Sequence, residues 1–305
     1  MSMLEGVFPV LPTPFAPDGT IDRTAFAGLV DFVVGAGADG VVFPGMASEV
    51  EKLTPDERAL LVADLGKHIG GRVPIIVGAS AATPEAAAAF AEEGRKIGAV
   101  AAMIMAPAAC GADIASHIAF YSAVGAKTGI KLMLQNAPSP MGAGLSPDAG
   151  AQIVLAVPAI RYVKEETLPC GQHVTKILAL AGHRLDGVFG GAGARYIIDE
   201  LARGARGTMP ASELADVHVA LMRAWRAGDK KRARAIYSRT LPLLLFQAIF
   251  RVRATKTLLR MRGLLDCDFA RAAGPELDAN DRLEFAALAT EAADLFERHP
   301  LQRDI

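Results

Sequence analysis

Short apolar runs alternate with longer stretches of helical period along most of this chain. The runs fall at 7–15, 40–45, 73–80, 100–107, 131–138, 160–166, 187–191 and 207–211. Each is continuously apolar, the pattern of strands covered on both faces. Between them, helical spacing predicts helices near 23–35, 55–69, 84–97, 114–128, 147–156, 171–181, 194–203 and 212–227. Thr54-Pro55, Thr83-Pro84 and Ser146-Pro147 each place a hydroxyl at an N-cap and a proline at the first helical position. Thr54 and Glu57 also fit a capping box, and Gly35, Gly70 and Gly98 sit where helices should stop.

Eight strand–helix units in unbroken succession predict an α/β fold, a (β/α)8 TIM barrel over residues 1–227. A doubly wound open sheet is the alternative built from the same units. After Ala227 the period changes: 229–240, 243–262 and 280–297 read as helices with no strand between them. Residues 228–305 therefore form a C-terminal helical extension, with Leu241-Pro242 expected to break two of its helices. Phe246, Ile249 and Phe250 read as core there, with a subunit interface as the alternative.

Composition narrows the class. With 51% hydrophobic and 21% charged residues over 305 positions, the chain is too apolar for disorder and long enough for a large core. The formal charge is -1, and the densest basic run, Lys230 to Arg234, reads as a solvated helix face. Nucleic acid is not indicated as a partner. Three cysteines without a CxxC pair suit a reduced, cytoplasmic chain. The start, Met1 to Glu5, lacks the basic and apolar regions of a signal peptide, and no apolar run approaches the roughly 20 residues of a membrane span. The six histidines show no metal-ligand spacing, so no metal is expected. Gly190-Gly191-Ala192-Gly193 lacks the glycine spacing of a dinucleotide fingerprint.

In a barrel of this kind the chemistry sits at the C-terminal strand ends. These are Thr13, then 45–49, then 108–110, then Gln135-Asn136-Ala137-Pro138, then Lys164, then Gly190-Gly191, then Met209-Pro210. Lys164 interrupts its strand just where the apolar pattern stops. Read alone, it could be a surface lysine paired with Glu165 or Glu166. At a strand mouth, desolvation disfavours the ammonium and can free an amine to attack a carbonyl carbon.

Four stretches carry a resemblance to a known family. Leu11-Pro12-Thr13-Pro14-Phe15, the Gly45-to-Glu49 loop, Asn136-Ala137-Pro138 and Val163-Lys164-Glu165, in that order and at those strand ends, resemble the dihydrodipicolinate synthase/N-acetylneuraminate lyase group of class I aldolases and dehydratases. The resemblance spans the whole chain, helical tail included. It implies that Lys164 forms a Schiff base with the keto carbon of a small-molecule 2-oxo acid, with no separate cofactor. It also implies that the second-strand loop grips the substrate carboxylate, and that the enzyme is a homotetramer.

Departures from the family pattern bear on reaction type. Gln135 stands where family aldolases usually have tyrosine, Met46-Ala47 where they often have Thr-Thr or Ser-Thr, and Ala108-Ala109 where the synthases have a tyrosine pair. The arginine the synthases use for a second carboxylate falls near Pro140. Dihydrodipicolinate synthesis is therefore not expected. Retro-aldol cleavage needs a base for the hydroxyl proton, and an amide does not exchange protons usefully near neutral pH. Dehydration draws on the iminium as electron sink instead. The runs 134–138, 163–167 and 187–191 most resemble the family's L-2-keto-3-deoxyarabonate dehydratases, whose product is α-ketoglutaric semialdehyde.

Expected roles follow. Lys164 is the nucleophile. Ala47 and Ser48 bind the carboxylate through backbone N–H groups and the Ser48 hydroxyl, unless that hydroxyl only stabilises its turn. Gln135 orients the C4 or C5 hydroxyl, against loop packing. Glu166 shares the face of Lys164 if the strand persists, as a base or else a solvated carboxylate. Tyr162 points below Lys164 and either tunes its amine or simply fills the core. Gly190 and Gly191 let the backbone approach the substrate or serve a tight turn. A pyruvate-releasing class I aldolase and a non-catalytic 2-oxo-acid sensor are the alternative functions.

Overall fold

The computed structural model describes residues 3–302; Met1 and Ser2, part of the start read for a signal peptide, lie outside them. Eight short strands form one sheet: β1 (Gly6–Val7), β2 (Val41–Phe43), β3 (Ile75–Gly78), β4 (Ala101–Met105), β5 (Leu132–Asn136), β6 (Ile160–Glu165), β7 (Gly187–Gly190) and β8 (Gly207–Thr208). Their order along the sheet is β1-β8-β7-β6-β5-β4-β3-β2, so β2 to β8 run in sequence order and β1 lies beside β8. From β3 to β8 every pairing is parallel. Val10 makes parallel bridges to both Val42 and Ala211, tying the chain after β1 to β2 and to the segment after β8. This is the closed strand order of a (β/α)8 barrel, not that of an open doubly wound sheet, where the order reverses at a switch point.

The first strand is shorter than its apolar run: after Val7 pairing survives only at Val10 and Phe15. Pro9, Pro12 and Pro14 lie in this stretch, and proline has no N–H for a ladder.

The helices are α1 (Arg23–Gly35), α2 (Pro55–Ile69), α3 (Pro84–Lys96), α4 (Ile114–Thr128), α5 (Pro147–Ala156), α6 (Cys170–Ala181), α7 (Ile197–Ala202), α8 (Ala215–Arg226), α9 (Lys230–Phe250), α10 (Val252–Met261) and α11 (Ala279–Glu291). Thr54, Thr83 and Ser146 cap α2, α3 and α5 with proline at the helix start, and Thr54 and Glu57 complete their capping box. None of these helices is long and apolar enough to cross a membrane, among the described residues.

The chain divides into two compact units. One comprises Pro74–Met209 with the first residues through Gly6; the other comprises Val7–Val73 with the chain from Pro210 onward. In the first, fully buried Ile76, Val77, Ala102, Ile104, Leu132, Met133 and Val188 line successive strands. At about 25 cal/mol per Å² of apolar surface, side chains of this kind supply the main drive for folding.

In the second unit Pro242 does not break a helix. It sits inside α9, and the break comes at Arg251, whose φ of 51° and ψ of -123° end the helix. A proline in a helix interior costs about 3 kcal/mol. Against that, α9 buries Ala233, Ile236, Leu243 and Leu244 and packs on both α8 and α11. Phe246 also stacks on Phe250 and Phe285, with ring centroids 5.7 and 5.4 Å apart. Packing outweighs the local signal. Ile249, read as core, is instead 59% exposed.

Candidate active site

Parallel pairing of β5 with β6 sets Gln135 beside Lys164 and Asn136 beside Glu165. Side chains alternate between the two faces of a sheet. Gln135 and Lys164 therefore share one face, while Asn136 and Glu165 share the other. Both pairs are buried.

On the first face, Lys164 is not a surface lysine: its side chain is only 7% exposed. Its Nζ lies 3.0 Å from Glu166 Oε1. Gln135 Nε2 donates to the same oxygen at 2.7 Å, and the Ala192 N–H reaches Oε2 at 3.5 Å. Glu166 is held by its backbone as well, because its N–H donates to Asn136 O at 3.0 Å. Burial pushes the Glu166 carboxyl up, but the Lys164 ammonium and the Gln135, Lys164 and Ala192 hydrogen bonds outweigh it, leaving a net downward shift. Glu166 is thus an enclosed carboxylate rather than a solvated one. Among the described residues, no phenol appears in this network.

Gly191 is required here. A Cβ at that position would lie 2.3 Å from Glu166 Cγ, 2.6 Å from its Cδ and 3.0 Å from Lys164 Cε. Gly190 differs. Its Cβ would meet the Glu200 carboxylate, 1.9 Å from Oε2, on the opposite face. Consecutive positions on an extended strand point opposite ways, so Gly191 opens on the Lys164 side and Gly190 away from it.

Below Lys164, Tyr162 packs its ring against Phe189 at 6.3 Å, and its phenol oxygen accepts from the Leu4 N–H at 3.5 Å. It is a core aromatic. After Gly191 the chain does not enter a helix at 194 as its pattern suggests. Ala192, Gly193 and Ala194 take positive φ values of 49°, 65° and 64°, and α7 begins only at Ile197. Left-handed backbone costs roughly 1–2 kcal/mol per non-glycine residue, and this turn is what aims the Ala192 N–H at Glu166.

Ala47 and Ser48 lie in the other unit, on a short helical turn, Met46–Ser48, after β2. Ser48 is fully buried, and its hydroxyl donates to Leu11 O while accepting from the Gly45 N–H at 2.9 Å. Its own N–H donates to Gly45 O at 3.0 Å. The hydroxyl expected to bind a carboxylate has its one proton engaged by the Leu11 carbonyl, which corrects that expectation. Thr13 Oγ1 donates to Ser48 O at 2.7 Å, so the first strand end braces the loop. Glu49 follows in left-handed conformation, fully buried, with Lys256 Nζ 2.5 Å from Oε1 and the Ala272 N–H 2.6 Å from Oε2.

Several of these groups carry no signal in sequence. Glu49 and Lys256 are 207 positions apart and meet only through the fold. Ala192 contributes a backbone N–H, which no residue type announces. Glu200 is fully buried with neither carboxylate oxygen hydrogen-bonded, and burial first, then the charges of Glu166, Asp199 and Glu165, push it up to about 8. Among the described residues no group of three or more His, Cys, Asp or Glu could hold a metal ion.

Comparison with known proteins places this geometry in context. Residues 3–292 match the model of the dihydrodipicolinate synthetase family. An L-2-keto-3-deoxyarabonate dehydratase from Azospirillum brasilense is 31% identical over 288 residues, covering 93% of each chain. A protein of Escherichia coli (strain K12) named "Probable 2-dehydro-3-deoxy-D-pentonate aldolase YjhH" is 24% identical over 246 residues, 80% of this chain and 81% of that one. Among solved structures, a dihydrodipicolinate synthase from Rhodopseudomonas palustris superposes with a TM-score of 0.87 at 25% identity, over 95% of this chain and 99% of that chain.

Proposed function

This chain belongs to the dihydrodipicolinate synthetase family, a family of Schiff-base lyases, and from that premise we propose that it is a hydro-lyase acting on a 2-keto-3-deoxy sugar acid. L-2-keto-3-deoxyarabonate is the substrate we favour, with α-ketoglutaric semialdehyde as product. The observation that carries this reading is the Glu166 carboxylate, shared by the Lys164 amine at 3.0 Å and the Gln135 amide at 2.7 Å, with no phenol in the set. The similarity to the Azospirillum brasilense dehydratase supports it.

In this mechanism Lys164 Nζ attacks the C2 carbonyl, and loss of water gives an iminium. Glu166 accepts the ammonium proton beforehand and returns it to the carbinolamine hydroxyl, which leaves as water. Ionised again and enclosed, it is then placed to take a proton from C3, which the iminium acidifies. The electrons pass into the imine nitrogen to form an enamine. They return as the C4 hydroxyl leaves, taking up a proton to depart as water. Loss of a C5 proton and tautomerisation turn the C5 carbinol into the aldehyde, and hydrolysis frees Lys164. One water is lost overall and no external oxidant is needed. Gln135 orients the departing C4 hydroxyl or its C5 neighbour. It cannot serve as the phenolate-like base that retro-aldol cleavage would call for.

Borohydride trapping with pyruvate, read by mass spectrometry, tests the Schiff base. An adduct on Lys164 is expected, and none in Lys164→Ala. Incubation with 2-keto-3-deoxy sugar acids separates the reactions: semialdehyde supports dehydration, whereas pyruvate as the main product replaces it with aldolase activity. No adduct and no turnover leaves a 2-oxo-acid sensor.

A further inference from the structure

Directly behind Lys164, on the opposite face of β6, lies a second polar set that the mechanism above does not use. Glu165 is fully buried. Asn136 Nδ2 donates to its Oε2 at 2.9 Å and Oε1 at 3.2 Å, and the Thr167 N–H donates to Oε1 at 2.7 Å. The Thr167 hydroxyl bonds the same Oε1 and lies 2.8 Å from His173 Nδ1. The His173 side chain is 19% exposed against 0% for Glu165, so this chain of contacts runs from solvent to a buried carboxyl. Asn136 extends the set further. It exchanges hydrogen bonds with both backbone groups of Leu145, at 2.9 Å each, and so closes the loop that follows β5.

We propose that Glu165 is a positioning residue: its carboxylate fastens the ends of β5 and β6 together from behind, so that Gln135, Lys164 and Glu166 keep their mutual geometry, and Thr167 and His173 connect its proton to solvent. This rests on the Schiff-base reading of Lys164. Gln135 and Lys164 ride on the two strands that Glu165 and Asn136 join, and Glu166, just past the end of β6, lies between two members of the fastening, Glu165 and Thr167.

A neutral pair would fasten two strands without a buried acid, so the carboxyl calls for a reason. Burial first, with a smaller push from the Glu166 charge, lifts Glu165 to about 7 against the pull of hydrogen bonds from Thr167 and Asn136. Glu200 on α7 and Cys170 on α6 face the same charge. His173 is itself shifted down by burial and by Lys176, so it is neutral when Glu165 titrates. With Glu165 ionised, Thr167 donates to Oε1 and accepts from His173 Nδ1–H. When Glu165 gains a proton, Oε1 donates to Thr167 Oγ, the hydroxyl turns to His173 Nδ1, and the imidazole proton sits on Nε2. The Thr167 N–H then faces a weaker acceptor, and the segment bearing Glu166 is held less firmly. The ionised form is the working one.

The test is the rate of Lys164 adduct formation with saturating pyruvate and borohydride, from about pH 5 to about pH 9. Wild type is expected to lose rate as pH falls through about 7. Glu165→Gln, which mimics the protonated acid, should run about tenfold slower at pH 8 with little change in the pyruvate concentration for half-saturation, and should lack that acid limb. Thr167→Val removes a bond that lowers the Glu165 pKa, so its limb should move to higher pH. Because Thr167→Val leaves the acid in place, it decides the matter even if Glu165→Gln folds poorly. An adduct in wild type with an unchanged profile in both variants overturns the positioning role alone. No adduct in wild type overturns the Schiff-base reading and this inference with it.

Discussion

Gln135 and Lys164 are register partners on β5 and β6, and their side chains converge on a single atom, Glu166 Oε1. The amide supplies a donor that cannot ionise, and the amine supplies one that can. Together they hold a carboxylate charged inside a nearly dry site, where an unpaired carboxylate would take up a proton.

Replacing the amide by a phenol should change the reaction. In Gln135→Tyr the phenol stands beside Lys164 and can accept the proton of a hydroxyl on its way to becoming a carbonyl. Some pyruvate release from 2-keto-3-deoxy sugar acids is expected, measured by lactate dehydrogenase coupling. A variant that still yields only semialdehyde contradicts the proton-transfer argument.

The two adjacent glycines should fail differently. Gly191→Ala forces a Cβ to within 2.3 Å of Glu166 and 3.0 Å of Lys164, so kcat should fall about a hundredfold or more. Gly190→Ala pushes instead on Glu200, at 1.9 Å, and should act mainly on stability, at roughly 1–3 kcal/mol. Steady-state kinetics alongside thermal melts of both variants check this. Equal loss of activity in the two removes the assignment of faces.

Glu200 makes stability depend on pH. Its carboxyl is raised from 4.5 to about 8 in the folded chain. Between those values the folded state holds a proton that the unfolded state has released. Stability therefore falls as pH rises from 4.5 to 8, and the cost is complete above that. Glu200→Gln cannot titrate. Urea denaturation should show the variant gaining on wild type by on the order of 2–5 kcal/mol between about pH 5 and about pH 9. A constant difference across that range rules out a raised Glu200.

The Glu49–Lys256 pair is wholly buried, and losing one partner strands the other. Lys256→Met should destabilise by about 3–5 kcal/mol, while the double change Glu49→Met with Lys256→Met should recover much of it. Chemical denaturation of the two single variants and the double variant gives the coupling. Additive effects show that the two charges do not act together.

The sequence carried the strand–helix alternation, because a strand covered on both faces must be apolar throughout, and a capped helix needs its hydroxyl and proline in fixed places. It also singled out Lys164, Gln135 and Glu166, because a polar residue at the end of an apolar strand is visible without coordinates. Period-2 geometry was enough to put Lys164 and Glu166 on one side. What it left open was decided by neighbours far away in the chain. The Ser48 hydroxyl was open to two uses until Leu11 and Gly45 claimed both of its bonds. Pro242 marked a break until burial along α9 overrode it. Nothing in the sequence around Glu200 marks it as buried, and the folded chain seals it from water. Local pattern records what each segment prefers alone. Which hydrogen bonds are filled, and which charges lose their water, depends on surfaces that meet only when the chain has folded.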